Sequence, residues 1–275
     1  MKKNLLLLTK IAAESGILTN LVKSQIKQEE TASNFKDQFL SSKIGPSREQ
    51  LIFNEVTKRG INKTLVPITV PGPNNTKITY KVMPDYITID GIRVPMSGQT
   101  AQKVADYFNM VLPTPKMSKQ IYDAADTKIL AAPLSSGGKI NGKYYSGEEV
   151  VSHKIGDSDS SVAYNQMIDD KIKETKSTPT LIAGHMKDIV QPENPDKLGL
   201  YGWYNNGKAI QNSHQTPHDT IAHTEYGAGT RLIDSGVEIT MPDGSVVKTT
   251  MDKLMSDPNL RKSVSDYDQV KRYTI

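Results

Sequence analysis

VEITMPDGSVVKTTM, residues 237–251, is the stretch that decides the fold class. Two runs that alternate apolar and polar residues flank Asp243-Gly244, a dipeptide that accepts the positive φ of a tight turn, so the segment reads as a β-hairpin. Working outward, residues 64–70 and 77–83 alternate in the same way around the insert PGPNNT, whose Pro, Gly and Asn suit a loop. A second antiparallel pair is expected there. DYITIDGIRVPM, residues 85–96, continues the meander, with Gly91 between two short apolar runs.

Helical periodicity fills the intervals. SREQ at 47–50 has the form of a capping box behind Pro46, with Leu51, Ile52 and Val56 as the apolar face and Gly60 as the stop. After Ser97, the residues Ala101, Val104, Ala105, Phe108 and Val111 recur three or four apart as one buried stripe. LPTPK at 112–116 ends that helix, and a further helix is expected over 117–128. Residues 162–174 read as helix, 180–183 as a short strand, and 250–255 as a C-terminal helix stopped by Asp257-Pro258. The sum is an α+β fold of mixed, largely antiparallel strands with flanking helices, as one compact domain or two interlocked halves. Its expected organisation is an N-terminal helix and linker over 1–45, an α+β half over 46–133, a Gly/Ser-rich loop over 134–160, and a His-rich half over 161–275.

Bulk chemistry narrows the function classes. The chain has 275 residues, 34 basic against 30 acidic, and a net charge of +4, with the basic residues dispersed; this gives no nucleic-acid footprint. Zero cysteines exclude disulfides, thiolate metal ligands and a thiol nucleophile. No apolar run approaches the ~18 residues of a membrane span. The N-terminus begins with two lysines like a signal peptide, but Lys10 interrupts its leucines. Leu7, Leu8, Ile11, Leu18, Val22 and Ile26 instead share one helical face, suited to docking on a protein partner or to self-association.

Chemistry concentrates between Gly184 and Arg231, which holds His185, His214, His218 and His223. Imidazole serves both as a metal ligand and as a proton shuttle near neutral pH. In GHMKDIV, His185 and Asp188 share a face if the backbone is helical and point apart if it is a strand. With His218 they form a His/Asp/His set that suits a divalent metal such as zinc, leaving a position open for water. HExxH is absent. Without metal, His185 or His218 is the candidate base, oriented by Asp188 or Glu225. Ser213 lacks a G-x-S-x-G elbow, which disfavours a covalent mechanism. Trp203 and Tyr204, in LYGWYNNGK, are candidate platform residues for a sugar or peptide.

LPTPKMSKQIY at 112–122, GHMKDIV at 184–190, YGW at 201–203, IQ at 210–211 and EYGAGTRLI at 225–233 follow one another in that order. On these motifs the chain resembles a family of uncharacterised, usually secreted bacterial proteins. Their pattern runs LPT-x-K-x-V-D-x-I-Y, G-H-x-K-D, Y-G-W, I-Q followed by a histidine, and D-Y-S-H-G-x-R-L-V. The resemblance implies an extracellular or envelope-facing setting and one functional unit spanning both halves. His185, Lys187, Asp188, Tyr226 and Arg231 match the pattern, Gln211 falls in its I-Q element, and His218 matches its histidine after a small gap shift. Ala228 stands where the pattern has histidine, and this departure, with the interrupted signal segment, fits a shifted role such as one in a phage particle.

Two functions are therefore expected in competition. One is a hydrolase of a cell-envelope polymer, peptidoglycan or another glycan. It would use His185, Asp188, His218, Glu225 and Tyr226 for chemistry, and Lys187, Trp203, Tyr204, Gln211 and Arg231 for substrate. The other is a non-enzymatic phage-particle or cell-surface binding protein.

Overall fold

The structure is a computed structural model that describes residues 35–134, 138–140, 143–145, 157–175, 178–212, 221–269 and 271–275. The chain divides into two compact units, Met1–Ser41 and Ser42–Ile275. In the first, the described part is a short helix, α1 (35–41), on which Phe35 and Phe39 stack with ring centroids 5.7 Å apart. The apolar face expected over 7–26 lies outside the described residues, as does most of the Gly/Ser-rich stretch.

The second unit is an α+β fold built on a five-stranded antiparallel sheet. Strand β1 (Val66–Pro71) pairs with β2 (Lys77–Val82) from Val66↔Val82 to Pro71↔Lys77, as the alternation demands. Strand β14 (Ile233–Thr240) pairs with β15 (Val246–Thr250), and Gly244 at φ +85° supplies the left-handed turn position. β14 also pairs with β2, so residues far apart in sequence share one sheet. The register shifts between Ile233 and Val237, and β5 (Met110–Val111) pairs with the Ile233 end.

The sheet buries one face. Ile68, Ile78, Tyr80, Val82, Val237 and Ile239 pack against Met117 and Ile121 of α4 (Pro115–Ala124) and against Met251 and Leu254 of α6 (Met251–Ser256). Each such side chain contributes about 1.5 to 3 kcal/mol through burial.

Several helix ends differ from expectation for local reasons. Helix α2 (Pro46–Arg59) starts at Pro46 with Gly45 as its cap, and Ser47 lies within the first turn, so SREQ forms no capping box. Glu49 turns instead to the start of α3 (Gly98–Tyr107), accepting from the backbone N–H and the hydroxyl of Ser97 at 2.9 Å each. Asn109, at φ +53°, breaks the long stripe, which places Val111 on β5 and not on the helix. LPTPK starts a helix: Thr114 caps α4, with Pro115 in its first turn. α4 then ends at Ala124, and β6 (Thr127–Lys128) follows. Asp257 ends α6 and caps α7 (Pro258–Arg261).

A smaller sheet carries the site, in the order β12 (Lys208–Gln211), β11 (Gly199–Asn205), β10 (Lys187–Val190), β13 (Ala228–Gly229). Its parallel pair is β10–β13. Beside it lie the hairpin β3 (Thr88–Ile89) and β4 (Ile92–Arg93), the parallel pair of β6 with β9 (Ile182–Ala183), and the hairpin β7 (Gly138–Ile140) and β8 (Lys143–Tyr145). Helix α5 (Asp157–Glu174) packs on β4. Among the described residues, no helix is long and apolar enough to cross a membrane.

Candidate functional site

GHMKDIV folds as a turn into strand β10, every residue of which is buried. Two faces covered by protein explain why this strand carries polar residues only where each has a partner. Lys187 and Asp188 are adjacent on a strand and so serve opposite sides. The Lys187 ammonium lies 2.5 Å from the Glu225 carboxylate and 4.3 Å from the centre of the Trp203 ring, a paired cation over an aromatic face. Asp188 accepts from the Ser118 hydroxyl and lies 3.9 Å from Nε of Arg231.

His185 is fully buried, and Asp85 is its partner, with Nε2 3.2 Å from the carboxylate. Asp85 also receives Arg93, whose Nη2 approaches to 2.6 Å. Arg93 continues to Asp169 at 2.8 Å, and its backbone N–H donates to Asn165 at 2.7 Å, which ties helix α5 to the site. With Nε2–H donating to Asp85, the bare lone pair of His185 resides on Nδ1. That atom has no hydrogen-bond partner among the described residues, and neither does Oδ1 of Asp188 or Nε of Arg231. Leaving a buried polar atom unpaired costs about 1 to 3 kcal/mol, so such atoms in one region invite a functional reading.

Electrostatics follow from burial and charge. Burial lowers the His185 pKa, opposed by Asp85 and assisted by Arg93 and Arg231, which keeps the imidazole neutral at pH 7. Burial pushes Asp85 up but is outweighed by His185 and Arg93, and its carboxylate sits well below the usual range. Asp188 is raised, because burial outweighs Arg231, Ser118 and Tyr86. Tyr86 links the two centres. Its ring meets His185 edge-on at 5.1 Å, carries the Arg231 guanidinium at 4.4 Å, and is packed so closely on Gly229 that an added Cβ would lie 2.5 Å from it.

The remaining residues form the surround. Trp203 donates from Nε1 to the Tyr164 hydroxyl at 2.6 Å, and Tyr164 donates to the carbonyl of His185. Tyr226 accepts from the backbone N–H of Leu134 at 3.0 Å and packs edge-on against both rings. Arg231 donates to the carbonyls of Met83, Pro84 and Ile182, bracing the loop that holds Asp85. Tyr204, expected beside Trp203 as a platform, stacks instead on Tyr122 at 3.7 Å within the main core. Gln211 sits on edge strand β12, opposite Gly202.

His185, Lys187, Asp188, Trp203, Glu225, Tyr226 and Arg231 thus occupy one neighbourhood. His214 and His218, the latter the third ligand of the expected metal set, lie outside the described residues. Among the described residues, no group of three His, Asp or Glu side chains is placed to hold a metal ion. Asp85, Tyr86, Arg93, Ser118 and Tyr164 were not singled out from the sequence as site residues. Asp85 and His185 are 100 positions apart, and nothing in the local pattern links them.

A cavity of about 180 Å³ reaches this cluster, lined by Asp85 and Tyr86 together with Asn62, Met83, Ile87 and Thr88. The Asp85 side chain is 22% exposed and His185 none, so of this pair the carboxylate is the member that meets solvent. Compared with family models, curated proteins and solved structures, the chain matches none.

Proposed function

We propose that this protein hydrolyses a bond in a cell-envelope polymer, peptidoglycan or another glycan, by general acid–base chemistry centred on His185. The observation that carries this reading is the Nδ1 of a neutral His185, unpartnered among the described residues, whose other nitrogen is held by ionised Asp85. A base fixed by a second group is the arrangement that proton abstraction from water requires. Asp188, whose pKa burial pushes up against the lowering by Arg231, Ser118 and Tyr86, is the complementary candidate acid, and Arg231 supplies positive charge beside it. The polymer and its extracellular or envelope location come from the resemblance to secreted bacterial proteins.

The test incubates the full chain with purified cell walls and glycans and measures new reducing ends and new amines, with and without zinc. Product release that disappears in His185→Ala supports the reading. The absence of product under both conditions sinks it. The zinc arm separates a role for a metal held through His218 from unaided acid–base chemistry.

One observation favours a second reading, a non-enzymatic virion or cell-surface binding protein. Arg231 is fully buried and donates to three main-chain carbonyls, as a structural brace would. On that reading deletion of residues 1–31 abolishes partner binding while the remainder stays folded, and no polymer is cleaved.

A further inference from the structure

A second cavity, of about 270 Å³, opens where α3, β5, α6 and the C-terminal segment meet, and it shares no lining residue with the cavity beside Asp85. Gln102 and Gln191 line it and are only 4% and 8% exposed. Each commits its amide N–H to the fold. Gln102 donates to Asp106 at 2.9 Å, and Gln191 donates to the carbonyl of Leu112 at 2.6 Å. Each glutamine also carries a side-chain carbonyl oxygen, so the two residues bring acceptor chemistry to the lining.

The apolar wall is made by Val111, Leu112, Met251 and Met255, and the methionines adapt to the shape of an aliphatic group. Ser256, Asp252 and Arg272 complete the lining, the last two with one charge of each sign. Arg272 uses one N–H group on Asp106, which leaves its other donors. Carbonyl oxygens and a carboxylate suit an ammonium, a guanidinium suits a carboxylate, and the methionine wall suits a short aliphatic chain. The volume lies just below the ~300 Å³ at which drug-sized sites begin, so the ligand is small.

We propose that this cavity binds a free aliphatic α-amino acid of about the size of leucine, as its zwitterion. The site is separate from the His185 cluster, and its occupancy does not depend on polymer hydrolysis.

The experiment titrates ¹⁵N-labelled full-length protein with L-leucine, leucinamide and N-acetyl-leucine, following the side-chain amide signals of Gln102 and Gln191. Leucine is expected to shift them saturably. Each analogue lacks one of the two charges and should bind at least about tenfold more weakly. Asp252→Asn and Arg272→Gln change exposed side chains and should weaken leucine by a similar factor, whereas Met255→Trp fills the cavity and removes binding. Absence of a saturable shift with leucine, or equal affinity for leucine and either analogue, overturns the proposal.

Discussion

Asp85 and His185, 100 residues apart, meet at 3.2 Å between the carboxylate and Nε2, and the contact orients the imidazole with its lone pair on Nδ1. Because burial lowers the His185 pKa, the base form survives to lower pH than an ordinary histidine allows. The acid limb of any hydrolytic activity should therefore fall below pH ~6.5. His185→Ala should reduce kcat by roughly 10²- to 10⁴-fold. A pH–rate profile of the wild type with its acid limb at or above that value would contradict the assignment.

The same shifts make stability depend on pH, and their signs differ. Asp85 is lowered in the folded state, so its contribution is present above the ordinary aspartate range and is lost as pH falls through and below it. His185 is also lowered. The unfolded chain binds a proton first as pH drops below ~6.5, and folding weakens from there downward. Asp188 is raised and acts in the opposite sense, costing stability as pH climbs above the ordinary aspartate range. Between pH 7 and pH 5 the His185 and Asp188 contributions oppose each other, so the urea midpoint at pH 5 relative to that at pH 7 should be higher in His185→Asn than in the wild type.

Arg93 is held by Asp85 at 2.6 Å and Asp169 at 2.8 Å, with its guanidinium almost wholly buried. Arg93→Met would strand Asp85 beside His185 without its main counter-charge. A loss of about 3 to 5 kcal/mol is expected in equilibrium urea unfolding. A loss under about 1 kcal/mol, typical of exposed pairs, would show that Arg93 does not tie helix α5 to the site as described.

Gly229 leaves no room for a side chain, since a Cβ would lie 2.5 Å from the ring of Tyr86. Gly229→Ala should cost about 1 to 3 kcal/mol through overpacking. Because Tyr86 contacts both His185 and Arg231, the substitution should also shift the His185 ring resonances in an NMR spectrum.

Trp203 is the only tryptophan and is largely buried, so its emission reports on this cluster alone. Trp203→Phe removes the donor to Tyr164 and the best aromatic face beneath Lys187, and should cost about 1 to 3 kcal/mol. With Trp203 retained, Glu225→Gln should change the tryptophan emission by removing the carboxylate that holds Lys187 at 2.5 Å.

Local chemistry sufficed for the elements themselves. The alternation around Asp243-Gly244 specified β14–β15, the alternation around PGPNNT specified β1–β2, and Ser97 marked the start of α3, because strand period, turn chemistry and helix capping act within a few residues. The motifs GHMKD, YGW and EYGAGTRL also located most of the cluster in sequence. Two things were decided only in three dimensions. One was the direction of GHMKDIV: burial on both faces made it a strand, which sent Lys187 to Glu225 and Asp188 to Ser118 and Arg231. The other was the identity of His185's partner. Asp85 sits after β2, in a loop that Arg231 braces by donating to Met83 and Pro84, and the packing of that loop brings it to His185. Long-range pairing of charges depends on the packing of whole sheets, and no spacing along the chain encodes it.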